Sequence, residues 1–464
     1  MPMTRRGFAS LPAVPVVFTL LLGCAPGGAS APSSPPCAAG GSTTTTSAAS
    51  VTDPRHGDLA IVGRIVTMAE PAIAEALLIQ EGRVTCVGSR DDVLALAAEQ
   101  VPVVDIGENV AYPGFIDAHA HWIGDRDYYG IDTPAAAMDA ALSRGWTSIS
   151  EQWVDPGRLD ELMALADQAA LPLRVDAYLA LNAPSGEHFG DWYTDREPGT
   201  VSEHLRVQGL KITLDNGWGT ILHWEPAELT ETIGRANEAG WQVSIHTVST
   251  EAHDMVLDAY EGAIGLSGPN PRHHRIDHAI QVTDEQLARM VAMDLATVVH
   301  LDAAAADWLL EDDFLGNLGE ETAWLARWRD FVDAGLHVAA ASDTPWIYPD
   351  FTLTESSGRP VDQIAGGMDA RGRGHPEPPS WMASQLLTAE QGLRAVTVDA
   401  AWALGDEAVR GHLAPGTYGD VTILSGDVTS GATSDEIRSM TVMATIVGGI
   451  PAYCPVSEIC SQFE

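Results

Sequence analysis

Lysine is almost missing from this chain. Of the 25 basic residues among 464, one is a lysine, Lys211 in the stretch QGLKITLDNG, and the rest are arginines. Net positive charge is missing as well: 64 acidic residues leave the chain at −39. Nucleic acid and anionic membrane surfaces require basic patches, so neither is an expected partner. So acidic a surface suits a salty habitat; a GC-rich genome favouring Ala, Arg, Asp and Glu codons accounts for it equally. Long apolar runs are missing too. The one near the amino terminus, ending in LLGC, holds about twelve residues with prolines among them, fewer than the roughly twenty that span a bilayer. Cysteine is scarce at five, none with metal-site spacing. No G-x-S-x-G appears, so a serine-nucleophile elbow is not expected. What remains is the composition of a large globular protein, 45% hydrophobic and 19% charged.

The amino terminus reads as an address. Arg5 and Arg6 in MTRRGF precede the apolar stretch and Cys24, an order that resembles a bacterial lipoprotein signal with a twin-arginine flavour. Residues 1–23 are then the signal peptide, and Cys24 carries the lipid. Residues 24–56, small, polar and proline-rich, form a flexible tether. The protein is thus expected to be exported and lipid-anchored to the cell envelope, touching membrane through that lipid alone. An ordinary secretory signal with an incidental cysteine is the alternative. Cys24→Ala should leave the detergent-rich fraction on phase partitioning; recovery there at the parental level would refute the anchor. Cys37 lies in the tether and Cys86 in an apolar strand-like run. Cys454 and Cys460 could close a small loop in an oxidising compartment.

From residue 113 short β-branched runs alternate with amphipathic segments. Strands are expected at 114–121, 147–153, 173–181, 209–214, 242–248, 274–280, 296–302 and 337–343, with helices between, such as 225–239, 250–261 and 283–293. Eight such alternations predict an α/β fold, a (β/α)8 TIM-type barrel over 113–406. The strand-rich pieces 57–112 and 407–453 predict a small β-sandwich domain built from both chain ends, with 454–464 as a tail.

In such barrels chemistry gathers at the carboxyl ends of the strands. His119, His121, Lys211, His246, His278 and Asp343 all fall there. His119 and His121, two apart on a strand, share a face, and neutral imidazole is a common metal ligand. H-x-H alone is a weak signal, and a lone buried histidine is more often a core residue. Six such residues ending five strands form a constellation.

The segments YPGFIDAHAHW, GLKITLDNG, QVSIHTVSTEAHDMVLDAYE, RHHRIDHAIQ and VAAASDTPW resemble the amidohydrolase superfamily. The likeness is to its third family, metal-dependent hydrolases that include N-substituted formamide deformylases. LTAEQGLRAVTVDAAWALG and GHLAPGTYGDVTIL extend it over 57–453. The resemblance implies two divalent ions, zinc above all, and carbon dioxide bound as a carbamate on Lys211 that bridges them. One ion would take His119, His121, Asp343 and a carbamate oxygen; the other would take His246, His278 and the second oxygen. A bridging hydroxide would be the nucleophile, with Asp343 as general acid and base. Lysine suits the bridge because a neutral amine attacks carbon dioxide and burial supplies that amine, whereas guanidinium stays protonated. A buried ion pair or a substrate-carboxylate clamp is the other use of Lys211, and arginine would serve either.

Departures from the family pattern fall in the pocket. HTVSTEA replaces a Gly-Asp pair after the fifth-strand histidine, and VVHLD puts His300 where glutamine is common. Trp122, Tyr128, Trp153, Trp218, His300 and Trp346 are candidate pocket residues, each also a candidate for plain packing. A one-metal deaminase would need a glutamate where Ser249 stands. The expected reaction is hydrolysis of a non-peptide or N-acyl amide C–N bond in a small-molecule substrate. A lactone, carbamate or phosphoester on the same site is the alternative, and a catalytically silent, lipid-tethered ligand- or metal-binding protein is the rival of another class. The oligomeric state is left open.

Overall fold

The computed structural model describes residues 56–265, 270–302, 324–348, 352–354, 357–372, 376–378 and 380–463. The expected signal peptide and nearly all of the tether, Cys24 and Cys37 included, lie outside the described residues. Among the described residues no helix is long and apolar enough to cross a membrane.

Two sheets organise the chain. The first takes β1 (Leu59–Val66), β2 (Ile73–Gln80), β3 (Arg83–Gly88) and β4 (Val103–Pro113) from the amino-terminal side. The second is the barrel: β5 (Phe115–Ala120), β6 (Trp146–Val154), β7 (Arg174–Ala180), β8 (Gly199–Ser202), β9 (Leu205–Thr213), β10 (Gln242–Thr247), β11 (Arg275–His278), β12 (Ala296–Val299) and β13 (Val338–Ala340). The chain then returns to the first sheet with β14 (Val421–Leu424), β15 (Val442–Val447) and β16 (Ile450–Tyr453).

Every one of the eight expected barrel strands is present, in the parallel order β13-β12-β11-β10-β9-β7-β6-β5. Their sequences, such as FIDAHA and ATVV, are buried along their whole length, as strands covered on both faces must be. The short β8 adds an antiparallel partner at the start of β9, which begins at Leu205 rather than near 209. Two backbone hydrogen bonds draw the last strand toward the first: the His121 amide donates to Thr344 O and the Asp343 amide to His119 O, both at 2.9 Å. The barrel is therefore cinched at three of the expected site residues.

The connecting helices follow local rules. The helix Pro226–Glu238 starts on proline and buries Leu229, Thr232, Ile233 and Ala236, one face at i, i+3, i+4 and i+7 spacing. The helix Asp284–Ala292 opens on a Thr283–Gln286 capping box, and Thr250–Ile264 on a Ser249 cap. Gly366 matters in the helix Pro360–Asp369: a Cβ there would meet Leu301 O at 1.9 Å. That close approach lets Gln363 Oε1 accept from the Leu301 amide at 2.8 Å, fixing the turn just after His300.

Both chain ends build the first sheet, which is one continuous mixed sheet of seven strands in the order β16-β15-β14-β4-β1-β2-β3. β1 and β4 run parallel, and β4 pairs antiparallel with β14. Ile61, Ile79, Ile423 and Ile446 share its main apolar cluster. It meets the barrel through buried ion pairs. Arg174 on β7 makes a bidentate pair with Asp420 at 2.7 and 2.9 Å, and Arg410 makes one with Asp176 on β7 at 2.8 and 3.1 Å. Cys454 and Cys460 form a disulfide beyond β16, and Cys86 on β3 is disulfide-bonded too.

Candidate metal centre

Strand ends and the turns after them set the site. His119 ends up inside the barrel, buried, with Nδ1 2.8 Å from Asp277 Oδ2. Burial, then the Lys211 charge, holds its imidazole well below the usual range, so it is neutral. Against a carboxylate its Nδ1 must be the donor, so Nε2 carries the lone pair. That Nε2 faces Asp343 Oδ1 at 3.4 Å, and His121 Nε2 faces the same oxygen at 3.4 Å. Burial would raise the Asp343 carboxyl, but His121, His119 and His300 outweigh it and hold it below its usual range. A lone pair and a carboxylate that face each other across 3.4 Å have no proton to share; a cation between them resolves the conflict. Donors at about 2.0–2.1 Å from a tetrahedral ion stand about 3.3–3.4 Å apart, so the two edges to Asp343 Oδ1 match a divalent metal, and all three donor atoms lie within 4.8 Å of one another. Asp343 sits at φ 47° and His278 at φ 73°, strained positions for non-glycine residues that the site retains.

The other expected ligands lie beside His119. The His246 ring is 4.3 Å from that of His278, and the His278 ring is 4.8 Å from that of His119. His246 Nε2 is buried with no hydrogen-bond partner, and burial, then Lys211, pushes its pKa down to about 3. It is a neutral imidazole with a donor to spare. His300 does more than line a pocket. Its Nδ1 lies 2.9 Å from the Ala341 carbonyl, to which it must donate, and its Nε2 lies 2.7 Å from His278 Nδ1. His278, His300 and Asp343 bring one donor atom each within 4.8 Å of one another, a second possible cation cluster.

Lys211 is buried at the centre of this arrangement. Its amine donates to Asp277 Oδ2 at 3.0 Å. Burial lowers its pKa, and Asp277 works against that. The ion pair is one of the two uses of lysine left open by the sequence. A carbamate keeps one N–H, so the same hydrogen bond is compatible with the other.

Three carboxylates that sequence reasoning missed hold these groups. Asp277 is charged well below the usual range: burial opposes this, but Arg275 at 2.9 Å, Lys211 and His119 override it. The motif RIDH, a charged pair inside a buried strand, was its only signal. Asp215 accepts from the amides of Val248 and Ser249 and from Ser249 Oγ, and its Oδ1 stands 3.7 Å from His246 Nε2. Burial raises it to about 7 despite those bonds. Ser249, the departure from the family pattern, thus caps a helix and braces Asp215. Asp125 lies 3.3 Å from His121 Nδ1, pairs with Arg158 and accepts from Trp346 Nε1 at 2.9 Å.

The candidate pocket residues divide. Trp153 and Trp346 pack edge to face on the His121 ring, at 5.8 and 6.2 Å, and Tyr128 joins Trp346 at 5.1 Å. Trp218 stands 37% exposed on the loop after β9. Trp122 is fully buried, donates to Asp117 Oδ2 at 2.9 Å and packs on Tyr129, the plain packing that was its other candidate role.

Asp277→Asn tests the bracing. It removes the charge opposite Lys211 and Arg275 and weakens the acceptor that fixes the His119 tautomer. Metal affinity should fall about 10–100-fold, as when other outer partners of ligating histidines are removed. Competition with a chelating dye measures it, and an affinity within twofold of the parent would refute the assignment.

Comparison with known proteins places this geometry. The profile of the Amidohydrolase family matches residues 130–453, well over half of the sequence. The chain belongs to that family, a group of metal-dependent hydrolases. Protein LONG AFTER FAR-RED 3 of Arabidopsis thaliana is 28% identical over 272 residues, 54% of this chain and 44% of that protein. The N-substituted formamide deformylase of Arthrobacter pascens is 26% identical over 322 residues, 63% of this chain and 56% of that one. The match thus spans about half the length of these curated relatives. A metal-dependent hydrolase of Pyrococcus horikoshii OT3, described as uncharacterized, superposes with a TM-score of 0.66 at 17% identity, covering 82% of this chain and 99% of that one, a likeness of fold.

Proposed function

We propose that the chain hydrolyses a non-peptide or N-acyl amide C–N bond in a small molecule, using two divalent ions, zinc above all. The observation that carries this is the triangle of His119 Nε2, His121 Nε2 and Asp343 Oδ1 at 3.4 Å from the shared oxygen. His119, His121 and Asp343 would hold one ion. His246 and His278, with His300 alongside, would hold the second, and Lys211 as a carbamate would join them. Bound ions supply a water acidic enough to ionise near neutral pH and polarise the scissile carbonyl. The protein's own part is positional and acid–base. Asp277 orients the His119 ring, Asp125 faces that of His121 at 3.3 Å, and Asp343, ionised and buried, would take the water's proton and return it to the leaving amine. Anchoring at the envelope through Cys24 belongs to the same proposal and draws its support from the sequence alone.

The test is metal analysis of purified protein, then assay of N-acyl amines, formamides, dipeptides and lactones before and after chelation. Amide cleavage that chelation abolishes and zinc restores supports the reading. Silence of the metal-loaded protein across the panel, or activity indifferent to chelation, refutes it.

A further inference from the structure

Three consecutive residues after the last barrel strand meet three alternate residues of the first. The Ser342 amide donates to Asp117 Oδ1 at 2.8 Å, the Asp343 amide to His119 O at 2.9 Å, and the His121 amide to Thr344 O at 2.9 Å. The second and third bonds join backbone to backbone, and any residues could make them. The first needs the carboxylate of Asp117, kept at a fully buried strand position where a charge is costly to hold.

Hydroxyls extend that contact across Asp343. Asp117 Oδ2 accepts from Ser342 Oγ at 2.6 Å and from Trp122 Nε1 at 2.9 Å. The serine proton therefore belongs to the carboxylate, so Thr344 must be the donor in the 2.8 Å bond between the two hydroxyls. The Thr344 amide adds a bond to Ser342 Oγ at 3.2 Å. Asp117, Ser342 and Thr344 are all fully buried, which shields these bonds from bulk water. Asp343 lies inside this bracket at φ 47°, and its carbonyl accepts from the Trp346 amide at 2.7 Å. A left-handed backbone on a residue with a side chain persists only where its surroundings over-determine it. Here Ser342 on one side and Thr344 on the other do so, and both are tied to Asp117.

We propose that Asp117 is a positioning residue: through Ser342 and Thr344 it sets the backbone of Asp343, and with it the direction in which the Asp343 carboxylate points. Its effect on turnover rests on the hydrolase reading; its effect on metal binding does not.

Asp117→Asn keeps the size and removes the charge. Three donors then converge on a group with one acceptor oxygen. Whichever way the amide turns, its NH2 meets an N–H that cannot accept, that of Ser342 or that of Trp122. Ser342→Ala removes only the hydroxyl that links Asp117 to Thr344, and it serves should the first variant not fold. Zinc affinity is read by competition with a chelating dye. Separately, kcat and KM are taken on the best substrate among the N-acyl amines, formamides, dipeptides and lactones. Zinc affinity should fall at least about tenfold in Asp117→Asn and about threefold in Ser342→Ala, with kcat falling alongside and KM little changed. Combined with Asp343→Asn, either change should cost less than about twofold more in zinc affinity, because the carboxylate it positions is already gone. A folded variant with parental zinc affinity overturns the proposal, as does a loss that adds in full to that of Asp343→Asn, the mark of a merely structural role. A coupled loss of zinc in a protein that cleaves none of the panel supports the positioning and refutes the hydrolase reading; metal-dependent turnover with an uncoupled loss does the reverse.

Discussion

Lys211→Arg should fold and lose its two-metal centre, with metal content at one equivalent or less and activity gone. The replacement puts a permanent charge where Lys211 Nζ now sits, 3.0 Å from an Asp277 that already faces Arg275 at 2.9 Å. Guanidinium cannot lose a proton to attack carbon dioxide, and its charge repels the cations it would have to bridge. Lys211→Ala should behave differently. It leaves a gap that formate or acetate can enter as a substitute bridging anion, so its activity should rise with added carboxylate, while the arginine variant stays silent because its side chain fills that gap. Asp277 retains Arg275, His119 and Ser244 as partners in the alanine variant, which keeps the charge from being stranded. An experimental density map of the parent should show a carbon dioxide adduct on Lys211. A bare lysine with two metals bound, and an arginine variant of parental rate, would leave Lys211 as an ion-pair partner only.

Asp343→Asn should keep its fold and lose at least about a hundredfold in kcat, the scale of positioned acid–base catalysis. The amide nearly matches the carboxylate in shape, and the backbone bond from Asp343 N to His119 O is untouched. What goes is the charge that His119 and His121 both face at 3.4 Å, so some metal can go with it. Metal content and rate must therefore be measured on the same sample. A metal-replete asparagine variant that turned over at the parental rate would assign the proton transfer to another group.

What the sequence made legible was what periodicity encodes. Parallel barrel strands are continuous apolar runs between amphipathic helices, and all eight were placed within a few residues of their observed positions. His119 and His121 followed from strand alternation. The same alternation puts Trp122 on the opposite face, where it is core. The bracing carboxylates were not legible because their partners are remote: Asp277 meets a histidine 158 positions away, and Asp125 an indole 221 away. His300 looked like a pocket residue because its bond to His278 depends on how two strands end, a matter of register that no local pattern carries.

The ion pairs between sheet and barrel set an order of events during synthesis. Arg174 and Asp176 are laid down on β7 before the barrel is half made, yet Arg410 and Asp420 emerge only after β13. Until then β7 would bury Arg174 without its counter-charge, and Asp176 with Arg206 of β9 alone at 2.7 Å, which costs several kcal/mol. A barrel whose last strand has just left the ribosome is thus still waiting for Arg410 and Asp420. Synthesis must therefore pass residue 420 before the ion pairs of β7 can close, and a chain truncated before it should fold poorly and be open to proteolysis.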